Sequence, residues 1–166
     1  TMPSTALTIQ EAKKRQILNF SILCNHITIP QTLKALLDTD NLNLDAFIGP
    51  GHVNMIIGTE VYDFIVNKYK KPIVVSGFEP LDILQSLSML IKQLIENRCE
   101  IENQYKRVVS KEGNIIAQEA INNVYMIKEF SEWRGLGLIP ESGVKLRNEY
   151  KLSLIHISEP TRRRHI

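Results

Sequence analysis

Glycine, histidine and acidic residues gather in two short segments of this 166-residue chain. In the first segment His52 directly follows the turn Gly49-Pro50-Gly51, and in the second Glu79 and Asp82 flank Pro80. An imidazole can bind a metal, carry protons or hydrogen-bond a ligand. Glycines let the backbone turn sharply and come close to a ligand. The combination of an imidazole with nearby carboxylates is therefore the first candidate for chemistry in the chain.

Each of these residues also has an ordinary structural interpretation. Gly49 and Gly51 lack the Gly-Lys-Ser/Thr ending of a P-loop and the Gly-x-Gly-x-x-Gly spacing of a dinucleotide site, and a tight strand-to-helix turn explains them equally. His52 can simply cap a loop. Asp82 fits the first turn of a helix, where the helix dipole favours a carboxylate. Glu79 is explained less well in this way, because it precedes the helix.

Three further polar residues come after apolar runs. Arg107 can clamp an anion or a carboxylate through two parallel hydrogen bonds, and the alternative is an ion pair with a neighbour such as Glu102. Asn103 precedes it by four residues. His26 follows an apolar run and has the same two interpretations as His52.

The elements that would position these residues alternate along the chain. Short apolar runs, rich in β-branched residues, predict four strands at 20–24, 46–48, 72–75 and 101–104. Helical spacing predicts helices at 4–18, 31–37, 53–69 with a break near Gly58, 81–97, and from Gly113 to about 125. The glycine-rich stretch from Trp133 onward is expected to be irregular.

This alternation predicts an α/β fold in which helices cover both faces of a parallel sheet. Ligands of such sheets bind beyond the carboxyl ends of the strands. We therefore expect the turns that carry His26, His52, Glu79 and Arg107 to meet at one edge of the sheet.

Composition excludes several classes of protein. Hydrophobic residues make up 43% and charged residues 23%, as in ordinary globular proteins. The net charge of +2 resides in residues 152–166, which contain three arginines and one glutamate, whereas residues 1–151 contain 17 basic and 17 acidic side chains. The body therefore has no basic excess for nucleic acid. No apolar run approaches the roughly 20 residues that a membrane span needs.

Two cysteines, Cys24 and Cys99, are too few for a disulfide scaffold or a zinc cage. We expect inert core thiols and a reducing, cytoplasmic setting.

Residues 152–166 differ in character from the rest. They resemble the in-frame translation of a transposase adapter used in sequencing libraries, and such segments are excluded from fold reasoning. We expect a disordered, non-native tail here, with a basic nucleic-acid- or lipid-binding tail as the alternative. Residues 1–151 are expected to form one α/β domain of a larger multi-domain protein, cut at both ends.

Four motifs in order resemble the HypD family of [NiFe]-hydrogenase maturation proteins. They are Phe47-Ile-Gly-Pro-Gly-His-Val53, Gly77-Phe-Glu-Pro-Leu-Asp-Ile-Leu84, Glu102-Asn-Gln-Tyr105 with Arg107-Val-Val109, and Glu132-Trp-Arg-Gly-Leu-Gly137. The resemblance runs from Thr1 to about Lys151.

The resemblance implies a cytoplasmic factor that helps assemble the Fe(CN)2CO centre of the hydrogenase, together with a small HypC-type protein and a HypE-type cyanide donor. It implies an assembly factor that takes part in cyanide transfer to iron rather than a free-standing turnover enzyme. By the same analogy His52, as an iron ligand, and Glu79 line the cleft where the iron fragment is built. Supporting residues of that wall would be Gly49, Gly51, His26, Asp82, Asn103 and Arg107.

The family also holds a [4Fe-4S] cluster, and its cysteine segments have no counterpart in this sequence. We therefore expect this polypeptide to hold no such cluster and to be inactive alone. Two other functions stay open. One is a phosphate- or nucleotide-binding module that uses Gly49-Pro50-Gly51 and Arg107, and the other is a plain scaffold.

Overall fold

The computed structural model describes residues 1–39 and 43–153, and these ranges contain six α-helices and seven strands. The chain divides into two compact units. The central unit is Ile29–Glu119, and the terminal unit combines Thr1–Thr28 with the chain from Ala120 onward. The predicted extent of one domain over residues 1–151 stays a prediction. Within the described ranges, each helix is too short or too polar to cross a membrane.

A parallel three-stranded sheet organises the central unit. Its strands are β1 (Phe47–Pro50), β2 (Ile73–Ser76) and β3 (Ile101–Asn103), in the order β1-β2-β3. The middle strand β2 is buried along its whole length, which explains why it is apolar from Ile73 to Val75. The predicted α/β class with a parallel sheet is confirmed.

The helices of the central unit follow the predicted pattern. They are α2 (Ile29–Leu37), α3 (Gly51–Ile57), α4 (Asp63–Tyr69), α5 (Pro80–Ile95) and the start of α6 (Ile115–Val124). The predicted break is confirmed, because α3 ends at Ile57 and its C-cap Gly58 has a φ of +76°, which suits glycine. The buried Asn54 fixes this break by donating to the Gly58 carbonyl at 2.7 Å and accepting from Tyr62 Oη at 3.1 Å.

The core of the central unit lies against the sheet. Tyr62, Ile65, Ile73, Val75 and Val109 are buried together. Tyr62 is fully buried, and this desolvation raises the pKa of its phenol.

The terminal unit contains α1 (Met2–Lys14), the end of α6 and two antiparallel strand pairs. The strands are β4 (Tyr125–Ile127), β5 (Phe130–Trp133), β6 (Gly137–Pro140) and β7 (Val144–Leu146), paired β4 with β7 and β5 with β6. A short 3-10 helix follows at Asn148–Ser153. The core combines residues of α1, α6, β4 and β7, among them Ile9, Val124 and Leu146.

Two predictions about the terminal unit are wrong. Residues 20–24 form no strand. Phe20, Ile22 and Cys24 turn toward the core while Ser21 and Leu23 are exposed. The segment is extended, and only Ile22 takes part in an isolated β-bridge. Half-buried and exposed residues alternate along this extended segment, which is the pattern that is also typical of a strand.

The stretch from Trp133 onward is a hairpin rather than irregular chain. Trp133 pairs with Gly137, and Gly135 and Gly137 have φ of +82° and +76°. The glycines that suggested irregular chain supply left-handed conformations, Gly135 inside the three-residue turn and Gly137 at the start of β6. Trp133 Nε1 donates to Ser142 Oγ at 2.8 Å and fixes the hairpin.

The predicted non-native tail at 152–166 falls mostly on residues 154–166, which lie outside the described residues.

Candidate functional site

Three of the four expected turns leave the same edge of the central sheet. Pro50 pairs with Ser76 and Val75 pairs with Asn103 in parallel register, so the carboxyl ends of β1, β2 and β3 lie side by side. Beyond these ends come His52, Glu79 and Arg107 respectively. The sheet thus brings together the turns that the sequence predicted for β1, β2 and β3, which is where open parallel sheets bind ligands.

His52 stacks on the ring of Phe78. The ring centroids are 4.4 Å apart and the planes are inclined by 16°. Each residue lies two positions beyond one member of the Pro50–Ser76 pair, so the sheet register brings the two rings to the same height. Both side chains are exposed, and the imidazole is therefore accessible to a ligand.

Glu79 follows Phe78 directly and is the N-cap residue of α5. Its side chain is exposed and makes no side-chain cap hydrogen bond. The carboxylate therefore lies at the same edge as His52 and does not cap the start of the helix.

The buried Asp82 and the exposed Arg107 form an ion pair across the site. Arg107 Nη1 donates to Asp82 Oδ1 at 2.9 Å and Nη2 donates to Oδ2 at 2.7 Å. Asp82 is only 5% exposed, and Gln104 Nε2 also donates to its Oδ1 at 2.8 Å. The guanidinium, followed by the Gln104 amide, lowers the pKa of Asp82 to about 2. Arg107 pairs here with Asp82, whereas Glu102 pairs with Arg98.

Gln104 joins this ion pair to the turn that carries Phe78. Its Oε1 accepts the Gly77 backbone N–H at 3.1 Å while its Nε2 donates to Asp82. The Ser76 hydroxyl donates to the Gly77 carbonyl at 2.8 Å. Gly77, the residue before Phe78, is therefore held through both its N–H and its carbonyl.

Tight packing explains the glycines of the site. A Cβ atom at Gly51 would overlap the Ser76 carbonyl oxygen and lie 2.8 Å from Tyr105 Cδ1. One at Gly77 would overlap the Asp82 carboxylate. One at Gly49 would meet only side chains, with Val75 Cγ2 nearest at 3.1 Å. These glycines permit close approach between strands and turns within the protein.

Asn103 closes the third turn. Its Nδ2 donates to the Val109 carbonyl at 2.8 Å, and within the described ranges its buried Oδ1 has no hydrogen-bond partner. The side chain shapes the loop between β3 and Val109.

His26 lies in the terminal unit, so the structure gives it no described place at this edge. Its ring meets Tyr125 edge-on at a centroid distance of 5.6 Å, and its carbonyl accepts Val144 N–H at 3.1 Å. Burial lowers the pKa of the imidazole. The strand on which its site role depended is absent from the described residues, and that role stays a prediction.

The described residues at this edge do not form a complete metal site by themselves. Over residues 1–39 and 43–153, His, Cys, Asp and Glu form no group of three or more suited to a metal ion. The two cysteines of the sequence cannot supply the four thiolates of a [4Fe-4S] cluster, so the residues present do not fit that cofactor. Cys99 is half-buried, and desolvation raises the pKa of its thiol, away from the thiolate form that binds metals.

The geometry also disfavours the phosphate-binding alternative. Helix α3 after the glycine turn has only seven residues, and Pro50 has no backbone N–H to offer an anion. Two N–H groups of Arg107 already donate to Asp82, so they are not free to bind a phosphate.

Sequence reasoning missed two residues of this site, Phe78 and Gln104. Both belong to the motifs quoted above, but an isolated Phe or Gln carries no chemical signal by type. The strand register could have identified Phe78, because two residues that each follow a paired strand end by two positions are neighbours.

Comparison with known proteins gives one consistent result. The family model HypD, described as "Hydrogenase formation hypA family", matches residues 1–157. "Hydrogenase maturation factor HypD" of Rhodobacter capsulatus is 52% identical over 151 residues, which are 91% of this chain and 40% of that protein. The Escherichia coli K12 protein of the same name is 50% identical over 151 residues, again 91% of this chain and 40% of the relative. The chain thus spans about two fifths of the length of these curated relatives.

Proposed function

This chain belongs to the HypD family of hydrogenase maturation proteins, and we propose that its central unit forms one wall of the site where the Fe(CN)2CO fragment of [NiFe]-hydrogenases is assembled. The iron fragment is the substrate of this process. The chain acts as an assembly factor that takes part in cyanide transfer to iron, and it needs the rest of a full-length family member to do so.

The observation that carries the proposal is the exposed imidazole of His52 beside Glu79 at the carboxyl edge of a parallel sheet. A neutral imidazole is a suitable iron ligand. A carboxylate close by can orient a cyanide-bearing intermediate or hold the histidine tautomer. His52 supplies a single ligand, so the remaining ligands come from another part of the full-length protein or from a partner.

The other predicted residues support this wall. Asp82 and Arg107 hold the turn between β2 and α5 through their ion pair, with Gly49 and Gly51 allowing the close packing beneath it. Asn103 shapes the neighbouring loop. The supporting role of His26, which lies in the terminal unit, stays a prediction.

The proposed partners are a HypC-type small maturation protein and a HypE-type cyanide donor, and the proposed compartment is the cytoplasm. Nucleic acid and membranes are not among the proposed partners. An edge of exposed polar groups on a packed sheet suits a cleft that another domain closes, because cyanide transfer needs an enclosed site.

The test replaces the aligned segment of the full-length E. coli relative with residues 1–151 of this chain and measures hydrogenase activity in a strain that lacks its own copy. We expect His52→Ala and Glu79→Gln to reduce activity at least tenfold relative to the unmodified chimera, at equal chimera levels on an immunoblot. Glu112→Gln, which changes an exposed carboxylate elsewhere in the central unit, is the matched control. Full activity of His52→Ala would refute the proposal.

A further inference from the structure

The imidazole of His52 is held by a ring contact and not by hydrogen bonds. Within the part of the chain that the structure describes, neither ring nitrogen of His52 makes a hydrogen bond or an ion pair, and Phe78 stacks on the ring at 4.4 Å. In a nearly parallel stack the nitrogens lie at the ring perimeter, so both remain available to a ligand. The phenyl face restricts the imidazole without occupying its ligand-binding atoms.

Phe78 is not explained by burial in the core. It is 54% exposed, and exposed aromatic rings remove little apolar surface from water. Its position before the N-cap Glu79 is the place where a hydrophobic staple to Ile83 is common, but Ile83 is itself 41% exposed. The ring partner that the structure gives Phe78 is His52.

The turn under Phe78 is fixed more firmly than an exposed turn requires. Gln104 accepts the Gly77 N–H and donates to Asp82, and Arg107 holds Asp82 with two hydrogen bonds. Gly77 itself lies too close to the Asp82 carboxylate for any side chain. A chain of hydrogen bonds therefore runs from Arg107 through Asp82 and Gln104 to the backbone of Gly77, the residue before Phe78.

From these contacts we propose that Phe78 is a positioning residue for His52, which sets the direction of the imidazole plane at the sheet edge. The importance of this for iron assembly rests on the proposed function of His52. The positioning of the His52 ring by Phe78 does not rest on that function, because it follows from the ring stack and from the hydrogen bonds that hold the turn. Small errors in the placement of a reacting group have large effects on rate, and this gives an exposed ring contact a functional reason.

The experiment uses the full 166-residue chain with 13C-labelled histidine and records the ring resonances of His52, assigned with His52→Gln. The aromatic face of Phe78 should shift the His52 ring protons upfield. Phe78→Leu should abolish this shift, and Phe78→Tyr should retain it. Phe130→Leu is the matched control, since Phe130 is 52% exposed and lies in the terminal unit. An amide fingerprint spectrum verifies that each variant is folded.

The same variants are then placed in the chimera and assayed for hydrogenase maturation. We expect Phe78→Leu to lower activity about tenfold or more, with Phe78→Tyr and Phe130→Leu at the unmodified level. Unchanged His52 resonances in a folded Phe78→Leu protein would overturn the inference. Full activity of Phe78→Leu beside an inactive His52→Ala would also overturn it and leave the proposed function standing, whereas full activity of both variants would overturn both.

Discussion

Arg107 grips the carboxylate of Asp82 with both terminal nitrogens, at 2.9 Å and 2.7 Å. The two residues follow different strands, since Asp82 lies in α5 after β2 and Arg107 lies in the turn after β3. The pair therefore ties together two of the three turns at the candidate site. Arg107 also lies over the Tyr105 ring, with Cζ 4.4 Å from the ring centroid, and this contact orients the guanidinium from below.

The first prediction concerns the geometry of this pair. Lysine carries the same charge as arginine but cannot form two parallel bonds to one carboxylate. We expect Arg107→Lys to lower the melting temperature by several degrees, because the buried Asp82 loses one of its donors. Thermal unfolding followed by circular dichroism measures the effect.

The control for this prediction is Arg15→Lys, which changes an arginine paired with the exposed Glu11. Exposed pairs contribute little to stability, so this variant should melt with the unmodified chain. Equal melting temperatures for all three proteins would show that the bidentate geometry at Asp82 does not contribute to the stability of the fold.

The second prediction concerns the titration of Asp82. Its pKa in the folded protein is about 2, compared with a usual value of 3.8. A depressed pKa means that the carboxylate stabilises the fold fully above about pH 4 and loses this effect as the pH falls through 2. The 13Cγ resonance of Asp82 should titrate with a midpoint near 2, and Arg107→Ala should move the midpoint upward. A midpoint near 4 in the unmodified chain would contradict the ion pair.

The same linkage predicts how stability depends on pH. In Asp82→Asn the titrating carboxylate is absent. The difference in urea midpoint between this variant and the unmodified chain should be constant at neutral pH and should shrink below about pH 4.

How far the sequence predicts the fold depends on whether local pattern and tertiary pairing agree. Residues 72–75 were predicted as a buried parallel strand, and β2 is buried on every side. Residues 20–24 have a similar apolar content, but in the part of the chain that the structure describes they form no strand, and Ile22 alone makes an isolated β-bridge. A ladder depends on a partner far away in sequence, and this information is not contained in a local run. Gly135 shows the opposite case, because the residue that suggested irregular chain makes a tight turn possible.

The site was predicted in its residue types but not in its contacts. His52, Glu79 and Arg107 are expected at one sheet edge because strand ends of parallel sheets converge, and the pairings of Pro50 with Ser76 and of Val75 with Asn103 bring this about. The sequence does not predict that Arg107 pairs with Asp82, because this pairing depends on how deeply the first turn of α5 is buried.

The third prediction compares two glycines of one turn. A methyl group at Gly51 would meet the backbone carbonyl of Ser76, which cannot move without disturbing β2. A methyl group at Gly49 would meet only side chains, with the nearest atom at 3.1 Å. We expect Gly51→Ala to lower the free energy of unfolding by about 1–3 kcal/mol and Gly49→Ala to lower it by less.

Urea denaturation of the two glycine variants decides the comparison. If the glycines served instead to bind a phosphate, both alanine variants would keep the stability of the unmodified chain. A larger loss at Gly49 than at Gly51 would mean that the close approach to Ser76 is not the constraint.

The last prediction concerns Gln104, which connects the ion pair to the Phe78 turn. Gln104→Leu removes the acceptor of the buried Gly77 N–H, and a buried donor without a partner costs about 1–3 kcal/mol. The Gly77 amide should then exchange with solvent faster, by a factor that hydrogen-exchange NMR measures directly. Gln85→Leu is the matched control, because among residues 1–39 and 43–153 the Gln85 side chain makes one hydrogen bond, from Gln104 Nε2 at 3.1 Å, and its loss leaves the Gly77 contact intact. If both variants accelerate Gly77 exchange equally, Gln104 is not the residue that holds this turn, and the rigid path from Arg107 to Phe78 is broken at that step.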